Sequence, residues 1–151
     1  MPSSPSLVQN ENQPAFKNES EGSATSSKLD GKSLPSNVDA EQGLLAACIL
    51  DSSGEVIGRC IEQAVSPDHF YFHNHQLIFD ALLQLHNENK EADEILIAEK
   101  LSASNNLEKI GGKDALFELS SRIDTTAHAP YWLDLVKEKA VLRKCIYVGF
   151  E

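Results

Sequence analysis

The sequence predicts an all-α fold, and three observations support this prediction. Apolar residues recur every three or four positions in six successive segments, which is the spacing of one face of an α-helix. Short stretches rich in Ser, Asn, Asp, Gly or Pro separate these segments, as is typical of turns. No segment shows a convincing alternation of apolar and polar residues, the pattern of a half-buried strand. We therefore expect a helical core behind a polar tail.

The first two helices are predicted from a cap and from apolar spacing. Asp39 and Gln42 have the spacing of a capping box, so the first helix should begin near Asn37 or Asp39 and end near Leu50. The turn-forming residues 51–54 then precede a second helix. The residues expected to be buried are Leu44, Leu45, Cys48 and Ile49 in the first helix, and Val56, Ile57, Cys60, Ile61 and Ala64 in the second.

The third and fourth helices follow a proline turn. Pro67 stands at a first helical position, and the aromatic residues 70–72 supply bulk before a helix from about Asn74 to Asn87. Asp93 is predicted to begin the fourth helix. The core-facing residues should be Leu77, Ile78, Ala81, Leu82 and Leu85 in the third helix, and Ile95, Leu96, Ile97, Ala98 and Leu101 in the fourth.

The last two helices are predicted to form a helical hairpin with a protein-binding surface. The fifth helix should start beyond Gly112, and the long final helix should run from about Pro130 to Val148. The apolar side chains of this pair exceed what the pair alone can bury, so they either pack on the first four helices or meet a partner. Aromatic residues dominate such contacts. The interface candidates are Leu116, Phe117, Ile123, Tyr131, Trp132, Leu135, Val136 and Leu142.

The composition limits the number of domains, the kinds of partner and the cellular compartment that we expect. The chain has 151 residues and 41% hydrophobic content, enough for one modest core. Its net charge of −10 opposes direct binding to nucleic acid, and the basic residues around Arg143 are expected to form a solvated helix face. No stretch is apolar enough for a membrane span or a secretory signal, so we expect a cytoplasmic protein. The three cysteines, Cys48, Cys60 and Cys145, are expected to be reduced core thiols.

The motifs that could carry chemistry favour structural roles. Gly111-Gly112-Lys113 is not a phosphate-binding loop, because Leu107 occupies the position of its first glycine and Asp114 the position of its hydroxyl residue. The glycine pair instead predicts a sharp turn that starts a helix. The five histidines and three cysteines lack the spacing of metal ligands, so no metal site is expected.

Carboxylates near predicted helix starts are interpreted in the same structural way. Asp93, Glu94 and Glu41 are explained by the helix dipole and by capping. No candidate catalytic residue emerges, although a spatial assembly of distant residues stays open.

Four stretches, in order, resemble the amino-terminal domain of DnaB-type replicative DNA helicases. They are the segment LPSNVDAEQGLLAACILD over 34–51, the run Asp68-His69-Phe70-Tyr71 with His75 and Ile78-Phe79, the pair Gly111-Gly112, and residues 135–143. The resemblance implies a small orthogonal domain of about four to five helices over 35–110 and a helical hairpin over 111–148. It further implies that residues 149–151 begin a linker to a missing ATPase domain. Residues 1–34 are rich in Ser, Asn, Gln, Glu, Gly and Pro and offer few apolar side chains, so we expect them to form a disordered tail. His75 corresponds to a histidine for which a buried hydrogen-bonding role is expected.

The same resemblance implies the function. The chain would be a non-catalytic oligomerisation and primase-docking domain of a helicase that unwinds DNA during replication. ATP, magnesium and single-stranded DNA would bind only to the missing domain, and the intact protein would form a hexameric ring with primase and, in some systems, a helicase loader. No cofactor is expected in this piece.

The sequence departs from the family before the last helix, and two alternative functions stay open. Asp124-Thr125-Thr126-Ala127-His128 replaces a sequence of Pro-Thr-Ala-Ala-Asn type, which predicts Thr126 as the helix cap and Pro130 within the first turn. One alternative is a freestanding helical adaptor or regulator without a motor domain. The other is a small hydrolytic or metal enzyme, which ATPase and metal assays would reveal.

Overall fold

A computed structural model describes residues 34–149, and within this range the chain is helical and contains no strand. The all-α prediction is confirmed. Residues 1–33 of the predicted tail over 1–34 lie outside the described residues, and so do the last two residues of the predicted linker. The helices of the described range are α1 (Val38–Leu50), α2 (Glu55–Glu62), α3 (His73–Asn87), α4 (Glu94–Ala103), α5 (Gly112–Ser120) and α6 (Ala129–Gly149), with 3₁₀ turns at Pro67–His69 and Glu108–Ile110.

Helix α1 is the centre of the fold, and it contacts α2, α3, α5 and α6. The side chain of Asn37 caps it by accepting a hydrogen bond from the Ala40 N–H at 2.9 Å. The predicted capping box at Asp39 is therefore wrong, because Asp39 already lies within the first turn. Nearly every residue from Ala40 to Ile49 is buried, including the four predicted for the first helix.

Asp51 fixes the turn between α1 and α2. One carboxylate oxygen accepts from the Ser53 hydroxyl at 2.6 Å and from the Ser53 N–H at 3.1 Å, and the other accepts from the Val56 N–H at 2.8 Å. These bonds substitute for the missing side-chain cap at Gly54. Ile57 and Cys60 are buried as predicted. Ile61, the next-to-last residue of α2, is exposed, and so is Ala64, which follows the helix with a left-handed φ of 62°.

The pair α3 and α4 completes the globular part. Phe70 and Phe79 pack with ring centroids 4.9 Å apart in the interior. The predicted span of α3 is confirmed to within one residue, and Asp93 caps α4 by accepting from the Leu96 N–H at 2.8 Å. In α4 the predicted burial of Ile95 is wrong, because its side chain is 63% exposed on the solvent side of the helix.

The last two helices rest on α1 rather than chiefly on each other. Gly111 and Gly112 adopt left-handed φ values of 105° and 80°, and α5 begins at Gly112, so the predicted glycine turn is confirmed. Helix α6 begins at Ala129 with Pro130 in its first turn. Thr126 is not its cap, because it lies three residues before the helix and only its carbonyl bonds to the Ala129 N–H.

One hydrophobic core spans the predicted boundary between 35–110 and 111–148. Leu116, Leu119, Leu133 and Val136 from the last two helices lie in the same buried cluster as Leu44 from α1. Residues 35–149 accordingly belong to one compact unit. The division into a globular part and a hairpin stays a prediction, and the packing does not mark it.

Candidate protein-association surface

Helix α6 has an inner face that is used to build the core. Leu133 and Val136 are buried among residues of α1, and Ala129 is buried at the start of the same face. Trp132 is half-buried, and its indole lies directly on Gly43 of α1. A Cβ placed on Gly43 would stand 2.6 Å from two indole carbons, so only glycine permits this approach. No local pattern in the sequence predicts this role of Gly43.

Arg143 ends the inner face and ties three segments together. It is only 7% exposed, and its two terminal nitrogens donate to the Pro35 and His69 carbonyls at 2.8 Å each. Its guanidinium carbon also lies 5.4 Å from the centre of the Tyr71 ring. The predicted solvated basic face is therefore wrong for Arg143, because a guanidinium can satisfy several acceptors from a buried position. Lys144, in contrast, is exposed.

The outer face of α6 carries the exposed apolar side chains of Tyr131 and Leu142, and the exposed acidic residues Asp134 and Glu138 lie between them along the helix. Tyr131 is 63% exposed and Leu142 40%. Tyr131 and Leu142 are about three turns apart, so they lie on the same side of the helix. Large apolar side chains that are exposed together are typical of protein-binding surfaces. No other described segment of the chain covers this face.

The structure separates the eight interface candidates into three groups. Leu116 and Val136 are buried within the chain's own core, so their side chains offer no surface to a partner and their candidacy was wrong. Ile123, Trp132 and Leu135 are half-buried, and the Trp132 indole is in contact with Gly43. The exposed candidates are Phe117, Tyr131 and Leu142.

The sequence interpretation missed Val141, Tyr147 and Val148 as surface residues. All three are more than half exposed. Val141 and Val148 are seven residues apart, a spacing that repeats every two turns and that a search for a second apolar face would have found.

A buried polar group joins α1 to α3. Glu41 and His75 are 2% and 4% exposed, and the His75 Nδ1 lies 2.7 Å from one carboxylate oxygen of Glu41. The other carboxylate oxygen accepts from the Tyr71 N–H at 2.7 Å. The buried role of His75 is confirmed. The explanation of Glu41 by the helix dipole is wrong, since its carboxylate points into the protein and is held there by two partners.

The cysteines occupy two different environments. Cys48 and Cys60 are buried thiols, and a hydrogen bond with Cys60 together with burial raises the pKa of the Cys48 thiol. Cys145 is exposed, so its prediction as a core thiol was wrong.

The described residues show no constellation that suits metal chemistry or a membrane span. Within 34–149 no three His, Cys, Asp or Glu side chains are placed to hold a metal ion. In the same range no helix combines the length and apolar character needed to cross a bilayer.

Comparison with known proteins identifies the family. Residues 33–138 match the family described as DnaB-like helicase N terminal domain. The chain belongs to this family.

Individual relatives agree with this assignment. Over 112 residues the chain is 36% identical to the replicative DNA helicase DnaB of Geobacillus stearothermophilus, an alignment that covers 74% of this chain and 24% of that protein. Over 119 residues it is 35% identical to the replicative DNA helicase DnaB of Mycobacterium leprae, covering 79% and 19% respectively. The chain thus spans about a quarter or less of the length of these relatives.

A solved structure supports the fold. The crystal structure of the N-terminal domain of DnaB helicase from Mycobacterium tuberculosis superimposes with a TM-score of 0.73 at 33% identity, covering 78% of this chain and 80% of that chain. The small orthogonal helical fold expected from the resemblance is therefore confirmed.

Proposed function

We propose that this chain is the amino-terminal assembly domain of a replicative DNA helicase and that it acts through protein association rather than catalysis. The observation that carries the proposal is the exposed outer face of α6 in a chain of the DnaB-like helicase N terminal domain family. A partner that covered Tyr131 and Leu142 would remove their apolar surface from water, and burial of apolar surface stabilises a complex by about 25 cal/mol per Å².

We propose three kinds of partner for this surface. Self-association would place copies of the outer face against one another, and the assembly expected for the intact protein is a hexameric ring. The second partner is primase, which would dock on the assembled domain, and a helicase loader is a possible third. Phe117 on α5, 57% exposed, is a further candidate contact.

The chemistry of the intact protein would reside outside this domain. Relatives are named replicative DNA helicases, and they are about four times as long as the matched region. We propose that ATP, magnesium and single-stranded DNA bind a downstream ATPase domain, because this sequence lacks a Gly-x-x-x-x-Gly-Lys-Ser/Thr motif.

Two experiments test this proposal. The first reads the gene beyond Glu151, where the proposal expects a phosphate-loop motif in the same frame. A stop codon directly after Glu151 would instead favour the freestanding adaptor.

The second experiment measures binding of the 151-residue chain to the carboxy-terminal domain of the cognate primase by isothermal titration calorimetry. We expect the wild-type chain to bind and the double variant Tyr131→Ser, Leu142→Ser to bind more weakly. Ile95→Ser, a substitution at an exposed position of α4, serves as the matched control. Absence of binding, combined with a strictly monomeric chain, would reject the proposal. ATP turnover by the chain alone would also reject the non-catalytic role.

A further inference from the structure

The second half of α6, which we name the α6 end (residues 137–149), is packed less fully than the first half. Leu133 and Val136 of the first half lie in the core, whereas Arg143 is the only buried residue of the α6 end. A cleft of about 340 Å³ lies between the α6 end and the 3₁₀ turn Pro67–His69, so the chain's own side chains leave this space unfilled. Side chains beside a cleft make fewer packing contacts than those inside a core. Apolar packing therefore contributes little to holding the α6 end in place.

Arg143 supplies most of the polar contact between the α6 end and the rest of the domain. Its two terminal nitrogens donate to the Pro35 and His69 carbonyls at 2.8 Å each. Among the described residues, one further hydrogen bond links the α6 end to another segment, from Lys137 to the Gln63 side chain at 2.8 Å, and it lies at the exposed surface. Hydrogen bonds of a buried, charged group contribute more than exposed ones, because water competes less for the partners. The docking of the α6 end thus depends mainly on one guanidinium.

The backbone of segment 69–71 is the part of the domain that Arg143 holds. Side chains of three helices bond to this segment. They are Arg143 of α6 at the His69 carbonyl (2.8 Å), Gln76 of α3 at the Phe70 carbonyl (2.7 Å) and Glu41 of α1 at the Tyr71 N–H (2.7 Å). Arg143 also contacts the Tyr71 ring, whose centre lies 5.4 Å from its guanidinium carbon. One residue of α6 therefore fixes both ends of the segment.

The α6 end cannot leave the domain without releasing part of segment 69–71. Its departure removes Arg143 from the His69 carbonyl and from the Tyr71 ring, so the bond from the Tyr71 N–H to Glu41 loses support. Phe70 stays anchored, because its side chain is fully buried in the core. The opening therefore exposes little of the core, and openings of this kind cost less free energy than global unfolding.

We propose that Arg143 acts as a latch: the α6 end and the backbone of Tyr71 open together as one unit, while the first half of α6 stays docked on α1. Arg143 closes this unit by bonding to the His69 carbonyl. Leu142 adjoins the latch, so each opening also displaces a side chain of the outer face. This last consequence rests on the proposed association, whereas the latch itself does not.

Hydrogen exchange of the backbone amides in the 151-residue chain, followed by NMR, tests the latch. In the wild-type chain the amides of Tyr71 and of residues 141–147 should share one opening equilibrium and should be less protected than the core amides of Leu45 and Leu82. Low concentrations of urea should leave exchange at Tyr71 and 141–147 nearly unchanged and should accelerate exchange at the core amides, because a local opening exposes little surface.

Two matched substitutions test whether Arg143 controls this opening. Arg143→Lys keeps the positive charge but lacks the planar fork that reaches both carbonyls. Exchange at Tyr71 and at 141–147 should therefore accelerate by the same factor, about fivefold or more, which corresponds to the loss of one hydrogen bond. Lys144→Arg, the reverse change at the exposed neighbouring position, should alter exchange at both places by less than about twofold.

A third substitution separates the latch from global unfolding. Ile97→Val shortens a buried side chain of α4, a helix that stays folded when the latch opens. It should accelerate exchange at the core amides by about fivefold, because it lowers global stability. Exchange at Tyr71 and 141–147 should change by less than about twofold. Circular dichroism of each variant verifies that the fold is retained.

Three outcomes would overturn the proposal. Acceleration at 141–147 without a change at Tyr71 in Arg143→Lys would mean that the helix end frays alone. Equal acceleration of all these amides by Ile97→Val would mean that only global unfolding exposes them. Wild-type exchange at Tyr71 and 141–147 in Arg143→Lys would mean that the two hydrogen bonds of the guanidinium do not close a latch.

Discussion

The two faces of α6 both carry large apolar side chains but lie in opposite environments. The inner face places Leu133, Val136 and Arg143 against the rest of the domain, where all three are buried. The outer face exposes Tyr131 and Leu142, although both residues are as bulky as those inside. One side of this helix therefore packs in the core, and the other side faces solvent.

The close approach of α1 explains why the inner face is used so fully. Gly43 lets the Trp132 indole lie on the backbone of α1, and Arg143 holds the other end of the contact by bonding to two backbone carbonyls. The outer face points away from α1 and meets no described segment of the chain. The comparison therefore assigns the two faces different roles, one in folding and one in association.

The largest predicted effect compares two matched leucines of α6. Leu133→Ala should lower the free energy of unfolding by about 3 kcal/mol, because it leaves a cavity in the core. Leu142→Ala on the outer face should change it by less than about 0.5 kcal/mol. Urea denaturation at low protein concentration measures both. Similar losses in the two variants would mean that the faces do not differ as described.

The next effect concerns the buried cation of the inner face. Arg143→Met should destabilise the domain by about 2 kcal/mol, because the Pro35 and His69 carbonyls lose charge-assisted hydrogen bonds. Lys144→Met, a matched change at the neighbouring exposed position, should have little effect on stability. Chemical denaturation gives both values, and hydrogen exchange should show faster opening near residues 37–40 only in the Arg143 variant. Equal stability of the two variants would contradict the buried role.

A smaller effect is expected from the contact between Gly43 and Trp132. Gly43→Ala should cost about 1 kcal/mol overall, because the clash with the indole outweighs the better helix propensity of alanine. In a Trp132→Leu background the same substitution should be neutral or stabilising, since the clash is gone. A double-mutant cycle by denaturation provides the coupling energy. Additive effects would show that the two residues do not constrain each other.

The smallest effect is a pH dependence that arises from His69. Its pKa lies below 6.5 in the folded chain, because desolvation disfavours the imidazolium and nearby lysines add to this. The unfolded chain therefore binds the proton more readily, so stability should be complete well above pH 6.5 and should fall as pH drops through 6.5 toward the folded value.

Thermal melts between neutral and mildly acidic pH measure this decrease. His69→Gln should reduce its slope, whereas His73→Gln at an exposed position serves as the control. A slope that is unchanged by His69→Gln would assign the pH dependence to another group.

Much of the fold follows from the sequence, because local signals determine where helices begin and end. Asp93 and the pair Gly111-Gly112 are predicted correctly, since capping and left-handed turns depend on nearby residues alone. Apolar spacing also predicts the core positions of α1.

The candidate site is harder to predict because burial depends on distant residues. The last helix is apolar on several sides, so periodicity could not distinguish Val136, which is buried, from Leu142, which is exposed. The pairing of Glu41 with His75 spans 34 residues, and no local pattern reveals it. Gly43 likewise acquires its role only when Trp132 reaches it.

The most direct test of the account is sedimentation equilibrium of the 151-residue chain over a wide range of concentrations. The account predicts reversible self-association in the wild-type chain and a monomer in the double variant Tyr131→Ser, Leu142→Ser, with both proteins equally stable at low concentration. Wild-type and variant chains that associate to the same extent would contradict the claim that the outer face of α6 is the association surface.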